Sequence, residues 1–199
     1  MQIGGTCGQV DLAADEPFEA DGEGWLTGFD ELIARCGLAN NGSPVFNPNG
    51  TLRFGLHGRI QNTPASKVHV AIDDASGEVS VTGTVEEGQI YGDKLRLTTT
   101  YTTAPGEPGV RITDVVTNLS DEPGQMQLLY HINLGVPLVD PGSKLVAPVE
   151  KLAPRAAGEW ETIDTWDTYH PETPKAGGVC FFGTLRADAK GWTRMVLHN

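Results

Sequence analysis

The chain reads as an all-β protein, a large antiparallel β-sandwich, and three features carry that reading. Turn-forming residues are abundant, 25 Gly and 13 Pro in 199 residues, and they fall between short apolar runs. The runs alternate with period two, as half-buried strands do. No helix-length apolar period separates them. The length suits a real core, and residues 1–199 are expected to form one domain.

Taken in order, residues 1–24 are rich in Gly, Asp and Glu and predict strand fragments and loop, with Asp15 to Gly24 an exposed acidic connection. Trp25 to Cys36 fits either a short helix from Asp30 to Arg35 or a strand interrupted by a turn. Gly37 to Pro44, GLANNGSP, is turn chemistry, because Asn and Gly tolerate positive φ. Leu52 to Ile60 is expected to be extended. Lys67–Ile72 and Glu78–Val85 are strands around a turn at Asp73–Gly77. Lys94 to Thr103 alternates Leu95, Leu97 and Thr99 against Lys94, Arg96 and Thr98 and is dense in β-formers. After the turn Ala104–Gly109, Val110–Asn118 and Gly124–Gly135 are expected to pair around Leu119–Pro123. Lys144–Leu152, Gly178–Leu185 and Thr193–His198 complete the strands. Residues 153–178 form a loop carrying Trp160, Trp166, Tyr169 and His170, either a wall of aromatic faces for a sugar ring or a plug at one end of the sandwich.

Composition excludes several functions. A formal charge of −12 argues against nucleic-acid binding, which needs a basic footprint. No apolar run approaches the roughly 18 residues of a membrane span, and no signal-peptide pattern opens the chain, so a cytoplasmic protein is expected. Cys7, Cys36 and Cys180 are too few and too widely spaced for a disulfide framework or a zinc motif. His57, His69, His131, His170 and His198 show no zinc spacing either. Neither a metal nor another cofactor is expected.

Two polar interruptions stand out within apolar runs. In QMQLLYHINLGVPLVD, Gln125 to Asp140, alternation puts His131 and Asn133 on one face of an otherwise apolar strand. Polar groups there need partners or await a ligand. In LRFGLHGRI, Leu52 to Ile60, His57 and Arg59 would share a face, with Gly55 and Gly58 keeping the backbone close to whatever that face meets. Arg59 would offer hydrogen-bond donors to hydroxyl or carboxylate oxygens and lower the pKa of His57.

Six segments in order resemble the aldose 1-epimerase (galactose mutarotase-like) superfamily, and within it an uncharacterised bacterial epimerase-like family. They are Trp25–Phe29; Cys36–Leu38 with Asn41–Pro44; Leu56–Ile60; Asp114–Asn118; Leu129–Gly135; and Met195–Asn199. The resemblance covers roughly residues 25 to 199 and leaves 1–24 divergent. It implies a sandwich binding a monosaccharide or sugar derivative in a groove across a concave sheet. Carried onto matching positions, it makes His131 the proton donor to the ring oxygen and His57 a substrate-binding residue, with Arg59 and Asn133 as further substrate contacts. It also implies that the family's catalytic base is a Glu beyond the segment matching Met195–Asn199. Glu87 and Asp114 lie at strand positions that the family does not use as a base. Three readings follow: an epimerase-like enzyme of small carbohydrates, a carbohydrate-binding chain without turnover, or an accessory chain whose open sheet edge is completed by a second copy or another chain.

Overall fold

A computed structural model describes residues 22–28, 32–88, 92–174 and 177–199. The expectations for residues 1–21, including Cys7, lie outside these. Among the described residues the protein is all-β, with antiparallel sheets and two 3-10 segments, Gly24–Gly28 and Ala157–Thr165. No helix among them is long and apolar enough to cross a membrane. Two compact units divide the chain, Met1–Asn133 and Leu134–Asn199.

In the first unit the strands are β1 (Ile33–Leu38), β2 (Val45–Phe46), β3 (Leu52–Phe54), β4 (Ser66–Ile72), β5 (Val79–Gly88), β6 (Lys94–Thr103), β7 (Arg111–Asn118) and β8 (Gln127–Ile132). Strands β4 to β7 form a four-stranded antiparallel meander, as alternation and turn chemistry predict. The helical alternative for Asp30–Arg35 gives way to strand from Ile33.

The expected pairing of Val110–Asn118 with Gly124–Gly135 does not form. β7 pairs with β6, and β8 crosses over to pair with β1. An Asn-anchored turn redirects the chain after β7: Asn118 accepts from the Ser120 N–H at 3.0 Å and donates to the Glu122 carbonyl at 2.8 Å. The β1–β8 pair then stacks on the meander rather than extending it. Between these layers lie Leu38, Ile60, Leu95 and Leu97, with Val85, Val116 and Leu128 packed around them. Burial of this kind stabilises by about 25 cal/mol for each Å² of apolar surface removed from water.

A buried ion pair also joins the layers. On β1, Arg35 donates from Nε to Asp114 Oδ2 on β7 at 3.0 Å and from a terminal nitrogen to Oδ1 at 3.3 Å. Thr99 and Tyr130 donate to the same carboxylate at 2.6 and 2.8 Å, and Arg35 reaches the Tyr101 hydroxyl at 2.9 Å. The Asp114 side chain is 2% exposed. Burial alone would raise its pKa, yet the hydrogen bonds from Arg35, Thr99 and Tyr130 together with the guanidinium charge bring it below the ordinary carboxylate value. Burial and the bond to Asp114 push the Tyr130 phenol up to about 12, so it stays a donor.

In the second unit the strands are β9 (Lys144–Val146), β10 (Val149–Pro154), β11 (Phe181–Leu185) and β12 (Val196–His198). The single strand expected over Lys144–Leu152 is two: β9 pairs with β12 and β10 with β11. The break falls at Ala147–Pro148, where proline has no N–H for a ladder. The expected loop 153–178 contains the 3-10 segment, whose first turn is held by Glu159 accepting from the Ala156 N–H at 2.8 Å.

Removing one partner of a buried pair strands the other charge. Asp114→Ala should therefore lower stability by about 3–5 kcal/mol, read as a reduced midpoint in urea unfolding. Because the Asp114 pKa is depressed by folding, this contribution is present above the ordinary carboxylate range and lost as pH falls through it. The variant's deficit should shrink towards acid pH.

Candidate functional site

The opposite side of β1 from Arg35 carries small and apolar residues. Ala34 and Cys36 are fully buried there and cluster with Trp25 and Leu56. Register places His131 of β8 opposite Ala34. The indole N–H of Trp25 donates to the Arg35 carbonyl at 3.2 Å, which fixes the ring against β1. Trp25 then stands 5.8 Å from His131 and 4.7 Å from His57, centroid to centroid. The two imidazole centroids are 6.4 Å apart, and both rings are half-buried. Burial pushes the Cys36 thiol up to about 11, so it is a packing residue and not a nucleophile at neutral pH.

His57 comes to this place through a turn and not through an extended strand. It has φ of 54° and Gly58 has φ of 79°, both left-handed. Such a conformation is uncommon for a residue other than Gly, and it persists only where neighbours hold it. Three bonds do so. The Gly37 N–H donates to the His57 carbonyl at 2.8 Å, the His57 N–H to the Gly42 carbonyl at 2.8 Å, and the Gly42 N–H to His57 Nδ1 at 3.2 Å. Gly58 bridges Gly37 directly, and a Cβ on Gly58 would collide with the Gly37 carbonyl oxygen. The Gly37–Gly42 turn chemistry thus cradles the histidine.

These bonds set the tautomers. Because the Gly42 N–H is a donor, His57 Nδ1 accepts and the neutral ring carries its hydrogen on Nε2. Asn41 Oδ1 lies 3.2 Å from the same nitrogen, and an accepting Nδ1 requires the amide to be turned over so that its N–H₂ faces the ring. On His131, Nδ1 lies 3.0 Å from Asn133 Oδ1 and donates to it. A protonated His131 therefore carries its second hydrogen on Nε2. The pKa of His57 is lowered, first by burial and then by the charge of His131. His57 thus favours its neutral form, beside a His131 whose Nδ1 hydrogen is received by Asn133.

Of the residues expected to form a site, His57, His131 and Asn133 come together. Arg59 is exposed and follows Gly58 in the turn, its N–H donating to the Gly37 carbonyl at 3.2 Å. The same-face argument for His57 and Arg59 required an extended segment and fails there. The lowered pKa of His57 comes from burial and His131, not from Arg59. Glu87, at a strand position that the resembled family does not use as a base, accepts from the N–H groups of Leu38 and Ala39 at 2.8 and 3.1 Å. It holds the end of β1. Near it, a cavity of about 520 Å³ is lined by residues that include Arg53, Phe54, Glu87, Asp93 and Gln127, but not by either histidine. Trp25, Asn41 and Gly42 were not singled out as site residues. Their signal was local: an aromatic just before an apolar strand, and an Asn-Gly turn. Among the described residues no group of His, Cys, Asp and Glu gathers as a metal site would require.

The all-β fold is of the aldose 1-epimerase-like structural class. Residues 7–199 match the family model described as "Domain of unknown function (DUF4432)", and the chain belongs to that family. It is also similar to a crystal structure from Klebsiella pneumoniae subsp. pneumoniae described as a "putative aldose 1-epimerase", at 34% identity and a TM-score of 0.84. The similarity covers 89% of this chain and 46% of that one, so the chain spans about half the length of that structure. A comparison with curated proteins gave no match.

A histidine whose folded pKa lies below its unfolded value binds its proton more readily when unfolded, so stability falls as pH drops below the ordinary value. His57→Gln removes this term. Between neutral pH and pH ~5, the variant should lose less stability than the parent in urea unfolding at matched pH values.

Proposed function

We propose that the His57–His131 pair binds a monosaccharide or sugar derivative and that His131 acts as proton donor in anomer interconversion. The observation that carries this reading is the meeting of the two imidazoles against Trp25. Their different electrostatic settings supply the chemistry. Neutral His57 offers its Nε2 hydrogen to a sugar oxygen, while His131, its Nδ1 hydrogen bonded to Asn133, gives the Nε2 proton to the ring oxygen. The bond from the ring oxygen to the anomeric carbon breaks as the anomeric hydroxyl loses its proton to a base. The aldehyde rotates, and reclosure on its other face returns the protons. Trp25, 1% exposed, acts by positioning the rings rather than by stacking on substrate. Arg59 is proposed as a further contact to hydroxyl or anionic oxygens. The reading places the protein in the cytoplasm, acting on a small carbohydrate with no nucleic-acid or membrane partner.

A second reading of the same site is a carbohydrate-binding or accessory chain without turnover. One pair of measurements separates the two. Purified protein should accelerate equilibration of α and β anomers of aldohexoses or their phosphates above the buffer rate. His131→Asn should remove that acceleration, about 10²–10⁴-fold for a general acid, while calorimetric affinity changes little. Binding heat without acceleration would establish the second reading, and neither heat nor acceleration would refute both.

A further inference from the structure

The cavity of about 520 Å³ beside Glu87 lies within the first unit, and separate chain segments bring charged groups to its walls. From the meander come Glu87 and Asp93. Glu87 stands opposite Leu95 in the β5–β6 register. Asp93 is two residues before Leu95, so the strand period puts all three on one sheet face. Diagonal neighbours of this kind are about 7–8 Å apart. Glu87 engages Oε2 with the Leu38 and Ala39 N–H groups, and its Oε1 accepts no bond among the described residues. Gly124, where a Cβ would come 2.8 Å from Asp93 Oδ1, leaves room for the second carboxylate. From the β2–β3 hairpin comes Arg53, its guanidinium carbon 5.0 Å from the centroid of the half-buried Phe54 ring. Arg53, Glu87 and Asp93 make no ion pair among the described residues. Leu38 and Leu95, 0 and 4% exposed, also line the cavity, so buried aliphatic carbons and unpaired charges face one space.

We propose that this cavity binds a small zwitterion, an organic molecule with a primary ammonium at one end, a carboxylate at the other and a short aliphatic chain between. The charges select that class. An ammonium has three N–H donors and can bridge Glu87 Oε1 and the Asp93 carboxylate across their diagonal. In a chain of net charge −12, two carboxylates without a cation attract one from solution. On the hairpin wall, the Arg53 guanidinium is a fork of donors that matches a carboxylate. A plain amine would leave Arg53 unmatched, and a plain carboxylate would meet two like charges. The aliphatic linker would lie against Leu38, Leu95 and the Phe54 ring. This place is separate from the histidines. His131 stands opposite Ala34, whereas Gln127, which lines the cavity, stands opposite Leu38. Four residues of strand separate the two positions, roughly 13 Å. Binding here is independent of the carbohydrate chemistry proposed for the histidine pair.

Calorimetry on the full chain tests the assignment with ω-amino acids from glycine to aminohexanoate, against butylamine, butyrate and glucose. One chain length should bind tightest, about 10-fold tighter than butylamine or butyrate because a second charged contact is made. Its affinity should fall as salt rises. Asp93→Asn should weaken that amino acid and butylamine alike, whereas Arg53→Gln should weaken the amino acid and leave butylamine unchanged. Both side chains are exposed, so neither variant should alter the far-ultraviolet circular dichroism spectrum. His131→Asn should leave the affinity as it is. Should Asp93→Asn fail to fold, the ranking of ligands on the parent and on Arg53→Gln decides the matter. No heat from any amino acid at its highest soluble concentration would overturn the assignment. So would equal affinity for butylamine and the amino acids, indifference to both cavity variants, or loss of binding in His131→Asn. Glucose heat that Arg53→Gln removes would make the cavity a sugar subsite and refute the zwitterion.

Discussion

Two glycine backbones in contact, Gly37 on β1 and Gly58 in the turn after β3, place everything else in the site. Side chains at either position would force the segments apart, since a Cβ on Gly58 would strike the Gly37 carbonyl and one on Gly37 would strike that of Gln127. The approach lets Gly37 donate to the His57 carbonyl and accept from the Arg59 and Ile60 N–H groups. His57 is thereby held left-handed, a conformation costing of order 1–3 kcal/mol that the surrounding bonds offset. Without that contact the two histidines would belong to separate parts of the unit.

Strand β1 has a different task on each face. Arg35 points to the meander and locks the layers through Asp114, while Ala34 and Cys36 provide the floor under Trp25 and the histidines. The ion pair is costly to desolvate, and its worth lies in fixing which residues of β1 face which layer. A one-residue slip of β1 would swap Arg35 into the apolar cluster and put Ala34 against Asp114. Glu87 guards the other end of β1 by capping Leu38 and Ala39. Site geometry and layer stacking are thus two consequences of one register.

Local patterns were legible and long-range ones were not. Alternation in KLRLTTTYTT placed β6 to the residue, because each of its side chains declares a face. The same logic put His131 and Asn133 together in β8 and its continuation. It could not show that β8 pairs with β1, which precedes it by most of the unit, since partner choice depends on the Arg35–Asp114 and core contacts across layers. Around His57 the sequence was read as strand although Gly55 and Gly58 bracket the histidine closely. Two glycines in four residues favour a turn, and that local chemistry outweighs the apolar neighbours. The assumed link between Arg59 and His57 failed for the same reason.

The central claim is that His57 and His131 share one carbohydrate ligand, and imidazole nuclear magnetic resonance tests it most directly. Carbon-attached ring proton signals, assigned by single His→Gln variants, would be followed while aldohexoses and their phosphates are titrated in. The account predicts that the His57 and His131 signals move together along one saturation curve, while those of exposed His69 and His170 stay still. Movement of only one of the pair, or of neither at saturating sugar, would contradict it.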